Sequence, residues 1–355
     1  MGQSELQKKI ITTTIDFFKQ NKLGYLDVAM RVGKTRIATE IFKHHEGEIL
    51  ITYPDNKLKD SWMSEFKKWE FNSEKVTLVN FSSLKNYINS NYTILCIDEW
   101  HSLSEKELEY VKEISNNSLY TLGLSGTVSN NTKNKWIEFK EIYKYSTQDG
   151  IEDGILADYQ ITVHFVHLDQ LTLVKDSKGK MKSEKQRYDG YSWVIDKIRR
   201  EGKSTMFMAL ARNRLSQSSI GKLNYLKKLL GELSDKRVLV FTGLAKVADS
   251  IGIPSYHSKS KDDETFKRFQ SGEENHLALA AMGKVGVTYP QLDCVILINF
   301  TYNAEESSQI LNRAIKLDYA DKVADLHVIA LKEPAEVKKI KESLSMLDQK
   351  KIKYV

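Results

Sequence analysis

Gly33-Lys34-Thr35 closes the run Val28-Ala29-Met30-Arg31-Val32-Gly33-Lys34-Thr35, between a strand-like segment over 24–28 and a helix-like one from Thr35 to His44. Glycine, lysine and a hydroxyl residue in that order, between strand and helix, are what a phosphate-binding loop requires. Backbone N–H groups converge on the phosphates there, and the helix dipole favours the anion. Lys34 would reach the β- and γ-phosphates, and the Thr35 hydroxyl would hold Mg²⁺. Val28 stands where the first glycine of the pattern belongs. The alternative is an ordinary strand–turn–helix that contains G-K-T.

A second chemical group follows in Tyr92-Thr93-Ile94-Leu95-Cys96-Ile97-Asp98-Glu99-Trp100-His101. An apolar strand delivers two carboxylates and a histidine to its C-terminal end, the edge at which open α/β sheets bind ligands. Taken alone, an acidic pair there can be a solvated turn. After a G-K-T loop it fits a Mg²⁺ and water site, with Asp98 holding the cation and Glu99 orienting or deprotonating the attacking water. Leu119 to Thr127 is a further strand that ends in Ser125-Gly126-Thr127.

These residues need a parallel sheet to bring them to one edge. Residues 4–20 have a helical apolar face of Leu6, Ile10, Ile15, Phe17 and Phe18, with Gln7 near the start. Glu48 to Tyr53 reads as a buried strand, and the segment after Pro54 as a helix with Trp62, Phe66 and Trp69 at i, i+4 and i+7. Lys75 to Asn80 reads as another strand. The alternation of strand and helix gives an α/β fold with a mostly parallel sheet flanked by helices.

The second half continues in the same manner. Strands are expected over 160–168, 237–241, 277–281, 294–298 and 326–331, with helices over 219–230, 261–269 and a lysine-rich 332–353. Between them, Lys175, Lys178, Lys180, Lys182, Lys185 and Arg187 crowd a short stretch that reads as a solvated loop, followed by Tyr188, Tyr191 and Trp193. Basic residues with nearby aromatics can also grip a nucleic-acid backbone and stack bases. His164 and His167, without further ligands in sequence, read as structural, and no metal is assigned to them.

At 355 residues the chain suggests about two domains, each able to bury a core. A net charge of +6 permits an acidic partner without requiring one. The two cysteines, Cys96 and Cys294, fall inside expected strands and are too few for a disulfide framework. No apolar stretch is long enough to span a membrane, and Leu6 occupies the position where a myristoylation signal needs Ser or Thr. The expectation is a cytoplasmic protein without membrane contact.

The ordered motifs resemble those of superfamily 2 helicases, and within them the Snf2-like DNA translocases. Gly33-Lys34-Thr35 resembles motif I, and Pro54, Leu58, Trp62, Glu65 and Trp69 resemble motif Ia of the Snf2 group. Asp98-Glu99-Trp100-His101 resembles the DExH box, and Leu124 to Asn131 resembles motif III. Arg237 to Thr242 resembles the first strand of the second motor domain, and the run around Gly286 resembles motif V. Asn299 to Asn303 with Gln309, Arg313 and Lys316 resembles motif VI.

The resemblance covers nearly the whole chain and implies two tandem RecA-like domains. It sets them at 1–154, which binds ATP, and 155–355, which carries a basic insertion at about 170–215. ATP and Mg²⁺ are then the expected cofactors. Gln7, Arg31, Val32, Gly33, Lys34, Thr35 and Gly286 are expected to contact the nucleotide, and Thr35 and Asp98 the metal. Asp98, Glu99, Gln309, Arg313 and Lys316 are expected to be catalytic. His101, Ser125, Gly126 and Thr127 would couple the nucleotide and polymer sites, and Lys178, Lys180, Lys182 and Lys185 would touch nucleic acid.

DNA, duplex or branched, is the implied partner, with RNA also open. Departures from the family pattern are Arg31 for a loop glycine, Val128 for the motif III proline and Lys316 for an arginine. The altered loop and Lys316 leave room for a nucleic-acid-binding or loading protein with weak or residual ATPase. A metabolic kinase, the remaining alternative, leaves the second half without a purpose.

Overall fold

In the computed structural model, the described residues are 2–126, 128–175, 179–260, 263–280, 292–299, 323–345 and 347–355. Thr127, Lys178, Gly286, Gln309, Arg313 and Lys316 lie outside them. The described residues form two compact units, one running to Asp158 and the other beginning at Tyr159. The sequence boundary after Gly154 falls in the turn that follows a short helix, where Gly154 has φ +69°.

The first unit runs α1 (Gln3–Phe18), β1 (Leu23–Val28), α2 (Lys34–Phe42), β2 (Ile49–Tyr53), α3 (Lys57–Lys68), β3 (Val76–Asn80) and β4 (Tyr92–Asp98). It continues with α4 (Glu105–Asn116), β5 (Ser118–Ser125), α5 (Asn130–Lys135), β6 (Lys140–Tyr145) and α6 (Thr147–Glu152). Its sheet is parallel throughout, in the order β3-β2-β4-β5-β1-β6. The three strands that carry the chemical motifs, β4, β5 and β1, are therefore adjacent and central. Parallel strands covered on both faces must be apolar along their whole length, and Ile94 to Ile97 are all buried.

On one face, Tyr25, Trp100 and Phe139 pack with ring centroids about 5 Å apart, over Val111 and Ile114 of α4. Phe42 of α2 stacks on Trp62 of α3, which packs on Phe66. Helix α4 begins at a full capping box, with the Ser104 hydroxyl and the Glu107 carboxylate each satisfying the other residue's backbone N–H.

The second unit runs β7 (Tyr159–Val166), β8 (Leu173–Lys175), β9 (Met181–Ser183), α7 (Glu184–Arg200), α8 (Met206–Gln217), α9 (Ile220–Glu232) and β10 (Val238–Thr242). It continues with α10 (Ala245–Ser250), β11 (Ser255–Tyr256), α11 (Asp263–Ser271), β12 (His276–Ala280), β13 (Cys294–Leu297), β14 (Ala324–Leu331), α12 (Pro334–Ser343) and β15 (Ile352–Tyr354). Its main sheet is also parallel, in the order β11-β12-β10-β13-β14-β7-β15. Leu226, Leu229 and Leu230 of α9 pack on Val240, Ile296 and Ile329 of that sheet.

Two expectations need correction. Leu173–Lys175 and Met181–Ser183 pair as an antiparallel hairpin rather than a plain loop, because Val174 and Met181 supply strand-forming side chains among the lysines. The helix expected over 332–353 stops at Ser343, and Ile352–Tyr354 joins the sheet beside β7. Lysines fit either structure, and β7 offers an open hydrogen-bonding edge that the tail satisfies. Among the described residues, no helix is long and apolar enough to cross a membrane.

Candidate nucleotide-binding site

Val28 continues β1 as a fully buried strand residue, so no glycine is required at that position. The chain then turns sharply. The Ala29 N–H donates to the Tyr145 carbonyl at 2.8 Å, and the left-handed backbone falls at Arg31 (φ 70°) and Gly33 (φ 97°). Gly33 is the N-cap of α2, whose first residues are Lys34 and Thr35. Glycine tolerates this conformation freely, whereas for a side chain such as that of Arg31 it stores about 1–3 kcal/mol.

Helix α1 holds the loop from outside. The Gln7 amide Nε2 donates to the Val32 carbonyl at 2.6 Å, and Gln3 Nε2 to the carbonyls of Arg31 and Val32 at 3.2 and 3.3 Å. Gln7 Oε1 is buried and has no hydrogen-bond partner. From the inner side, Lys34 Nζ donates to the Val28 carbonyl at 3.3 Å. Gly126 closes against the same place: a Cβ there would lie 3.0 Å from the Val28 carbonyl and 3.1 Å from Lys34 Nζ. Gly126 therefore has a packing role beside the loop.

Asp98 ends β4 next to Lys34. Burial pushes its carboxyl up to about 7, the neighbouring Glu99 adds to that, and Lys34 and the Trp62 indole oppose it. Trp62, buried in α3, donates its indole N–H to Asp98 Oδ2 at 3.0 Å. Glu99 adopts a left-handed backbone (φ 52°) as β4 breaks into a single 3-10 turn over Trp100–Ser102. Its Oε2 is buried without a hydrogen bond and sits 3.4 Å from His101 Nδ1. The same His101 nitrogen is 2.7 Å from Ser125 Oγ, which joins the end of β4 to the end of β5.

A buried carboxylate beside a half-buried one with an orphaned oxygen fits a hard divalent cation held by oxygens. Asp98, with Thr35 at the start of α2, could supply oxygen donors to Mg²⁺. The expected residues Gln7, Arg31, Val32, Gly33, Lys34, Thr35, Asp98, Glu99, His101, Ser125 and Gly126 thus gather around the C-terminal ends of β1, β4 and β5. Two further contributors have their own sequence signals. Trp62 belongs to the i, i+4, i+7 aromatic face of α3, and the Arg36 guanidinium of α2 lies 4.0 Å from the ring centre of Trp69 on that face. The Tyr145 carbonyl that pins the loop comes from β6, whose sequence Lys-Glu-Ile-Tyr-Lys-Tyr has no continuous apolar run.

In the second unit, Lys182 lies on β9 and Lys180 just before that strand. Lys185 pairs with Asp189 at 2.6 Å and with Glu333 at 3.3 Å, which commits its charge within the unit. Trp193 on α7 is exposed, with Lys197 Nζ 5.6 Å from its ring centre.

Residues 221–318 match the helicase conserved C-terminal domain family. Among solved structures, the chain is similar to the ATP-dependent Type ISP restriction-modification enzyme LlaBIII bound to DNA, at a TM-score of 0.63 and 12% identity. That alignment covers 98% of this chain and 31% of the enzyme, so the chain spans about a third of its length. A Sulfolobus solfataricus SWI2/SNF2 ATPase core in complex with dsDNA aligns over 96% of this chain and 90% of that one, at 16% identity and a TM-score of 0.39. Comparison with curated proteins found no match. The chain thus carries a match to the helicase conserved C-terminal domain over 221–318, within a fold of two mostly parallel, helix-flanked sheets of the RecA-like kind.

Proposed function

We propose that the protein is an ATP-hydrolysing motor on nucleic acid, with duplex or branched DNA as its track. The observation that carries this reading is the buried Asp98 and the half-buried Glu99 at a sheet edge beside Lys34, next to a loop with Gly33 at a helix N-terminus. Lys34 and the first N–H groups of α2 bind the phosphates. Thr35 and Asp98 would hold Mg²⁺, which when bound neutralises charge on the phosphate oxygens. Glu99, with a free carboxylate oxygen, orients the attacking water and takes its proton. His101 and Ser125 pass the state of the site from β4 to β5.

Arg313 and Lys316, within the helicase C-terminal match, are proposed to meet the γ-phosphate, with Gln309 and Gly286 alongside. Thr127 is proposed to act with Ser125 in coupling. Lys178, Lys180 and Lys182 are the proposed backbone contacts of the hairpin region, and Trp193 with Lys197 offers a ring on which a base could stack. The DNA-bound state of the LlaBIII structure supports DNA over RNA by analogy.

The test is ATP turnover of the full chain without polymer and with single-stranded DNA, duplex DNA, forked DNA and RNA. Turnover stimulated by DNA and abolished by Lys34→Ala is expected. Polymer binding with no turnover on any of them would instead favour a binding or loading protein, for which the Arg31 loop is the motivating departure.

A further inference from the structure

We propose that Cys294, Asp325 and His327 form a site for a borderline-soft divalent metal ion of the zinc class, separate from the nucleotide chemistry. Cys294 opens β13 and is paired in register with Asp325 on β14. His327 lies two residues further along β14 and so projects from the same face. The thiol, carboxylate and imidazole donor atoms all lie within 4.8 Å of one another, and among the described residues no other group of this kind occurs.

One pair of donors already stands at the spacing of an occupied site. Tetrahedral zinc with bonds of about 2.0–2.3 Å sets its donors roughly 3.3–3.7 Å apart. His327 Nε2 and Asp325 Oδ2 are already 3.3 Å apart. The thiol lies within 4.8 Å of both. The partly exposed Asp325 gives the ion a path from solvent.

His327 Nε2 is buried, with Asp325 Oδ2 at 3.3 Å and no well-aligned hydrogen bond. Its other nitrogen is held. Nδ1 is 2.8 Å from His164 Nε2, and His164 Nδ1 is 2.8 Å from the Tyr225 hydroxyl on α9. A metal-ligating imidazole characteristically has its second nitrogen fixed by such a chain, which sets ring and tautomer. With His327 Nδ1–H donating to His164, and His164 Nδ1–H donating to Tyr225, the Nε2 lone pair faces Asp325 and Cys294. A lone pair facing a carboxylate is repulsive unless a cation lies between them. Thiol, imidazole and carboxylate together suit Zn²⁺ or Co²⁺ better than Mg²⁺. Binding would release the Cys294 thiol proton to solvent and form a metal–sulfur bond.

The competing arrangement is metal-free. The same chain can run the other way, with Tyr225 O–H donating to His164, His164 Nε2–H to His327, and His327 Nε2–H to Asp325, which also has Lys236 Nζ at 3.8 Å. The full-length protein, stripped with a chelator and dialysed, should be titrated with Co²⁺ and followed by absorption. One Co²⁺ per chain, with a thiolate-to-metal charge-transfer band, is expected. The band should persist in Cys96→Ser and vanish in Cys294→Ser. Tyr225→Phe should weaken Co²⁺ affinity by about tenfold or more while keeping the band. Absence of the band in the wild type, or its survival in Cys294→Ser, overturns the proposal and leaves the hydrogen-bonded chain as the whole account.

Discussion

The Trp62 indole N–H and the Asp98 carboxylate meet at 3.0 Å, so a helix read from sequence as packing on the sheet also holds the end of β4. A hydrogen bond to a charged group is worth about 1.5–3 kcal/mol. Trp62→Phe keeps most of the aromatic packing and removes the donor. Its urea unfolding midpoint should fall by that amount of stability, and ATP turnover should drop about tenfold or more. Phe66→Leu, which alters only the core, should cost stability without changing turnover per folded molecule. Equal effects on turnover from both would show that the bond to Asp98 has no part in positioning.

Glu99→Gln preserves shape and removes the base. ATP should still bind, measured by equilibrium titration, while turnover falls by about 10²–10⁴, the usual worth of a general base. Lys34→Ala should lose both binding and turnover. A Glu99→Gln protein with wild-type turnover would assign water activation elsewhere.

Gly33→Ala combines two costs. The backbone at φ 97° disfavours any side chain, and the new Cβ would lie 2.5 Å from Gln7 Nε2. Nucleotide affinity should fall at least about tenfold, corresponding to the lower part of a 1–3 kcal/mol strain. Adding Gln7→Ala should recover part of the loss, since it relieves the clash but not the backbone strain. Undiminished affinity in the single variant would mean that nucleotide does not bind at this loop.

The finger residue can be identified by ranking. In other systems an arginine finger is worth about 10³–10⁵ in rate. If Arg313 is the main finger, Arg313→Ala should cost at least about a hundredfold in turnover, and Lys316→Ala much less. Lysine keeps the charge but lacks the planar fork, so Lys316→Arg should be neutral or faster. The reverse ranking would give the role to Lys316.

A fifth outcome concerns stability. Lys222 of α9 is buried, its ammonium 3.8 Å from the carboxylate of Glu336, and burial lowers its pKa from 10.5. Glu336→Gln removes the carboxylate paired with that buried charge, leaving its hydrogen bonds to Ser216 and the Ile298 carbonyl, and should cost up to about 3–5 kcal/mol. The unfolded chain binds the lysine proton more tightly than the folded one. Stability therefore rises with pH up to the unfolded value of 10.5, and the loss should shrink along that rise. Denaturant melts at pH 7 and pH 9.5 would check both parts.

Local patterns made much of the first unit legible. Ile94 to Ile97 marks a covered strand, G-K-T marks a turn into a helix, and the carboxylates follow at the strand end. Pairing across long separations was not legible. His164 and His327 are brought together by strands 163 residues apart in sequence, and neither segment signals the other. The edge strand β6 is polar because one of its flanks is open, so it shows no apolar run, yet its last carbonyl pins the phosphate loop. Arg31 looks like a defect in sequence, but the loop conformation is reached with Gly33 alone supplying the freedom, at the cost of strain at Arg31.

The tail strand β15 has a consequence for association. Val355 and Val163 are bonded through Val355 N–H to the Val163 carbonyl at 2.9 Å, and Phe165 N–H reaches the Val355 carbonyl at 2.9 Å. Residues 352–355 thus clasp the strand with which the second unit begins. With the clasp open, β7 would present a row of unpaired donors and acceptors flanked by buried apolar side chains, the template on which another chain adds. Strand β15 therefore covers that edge of β7 as well as widening the sheet.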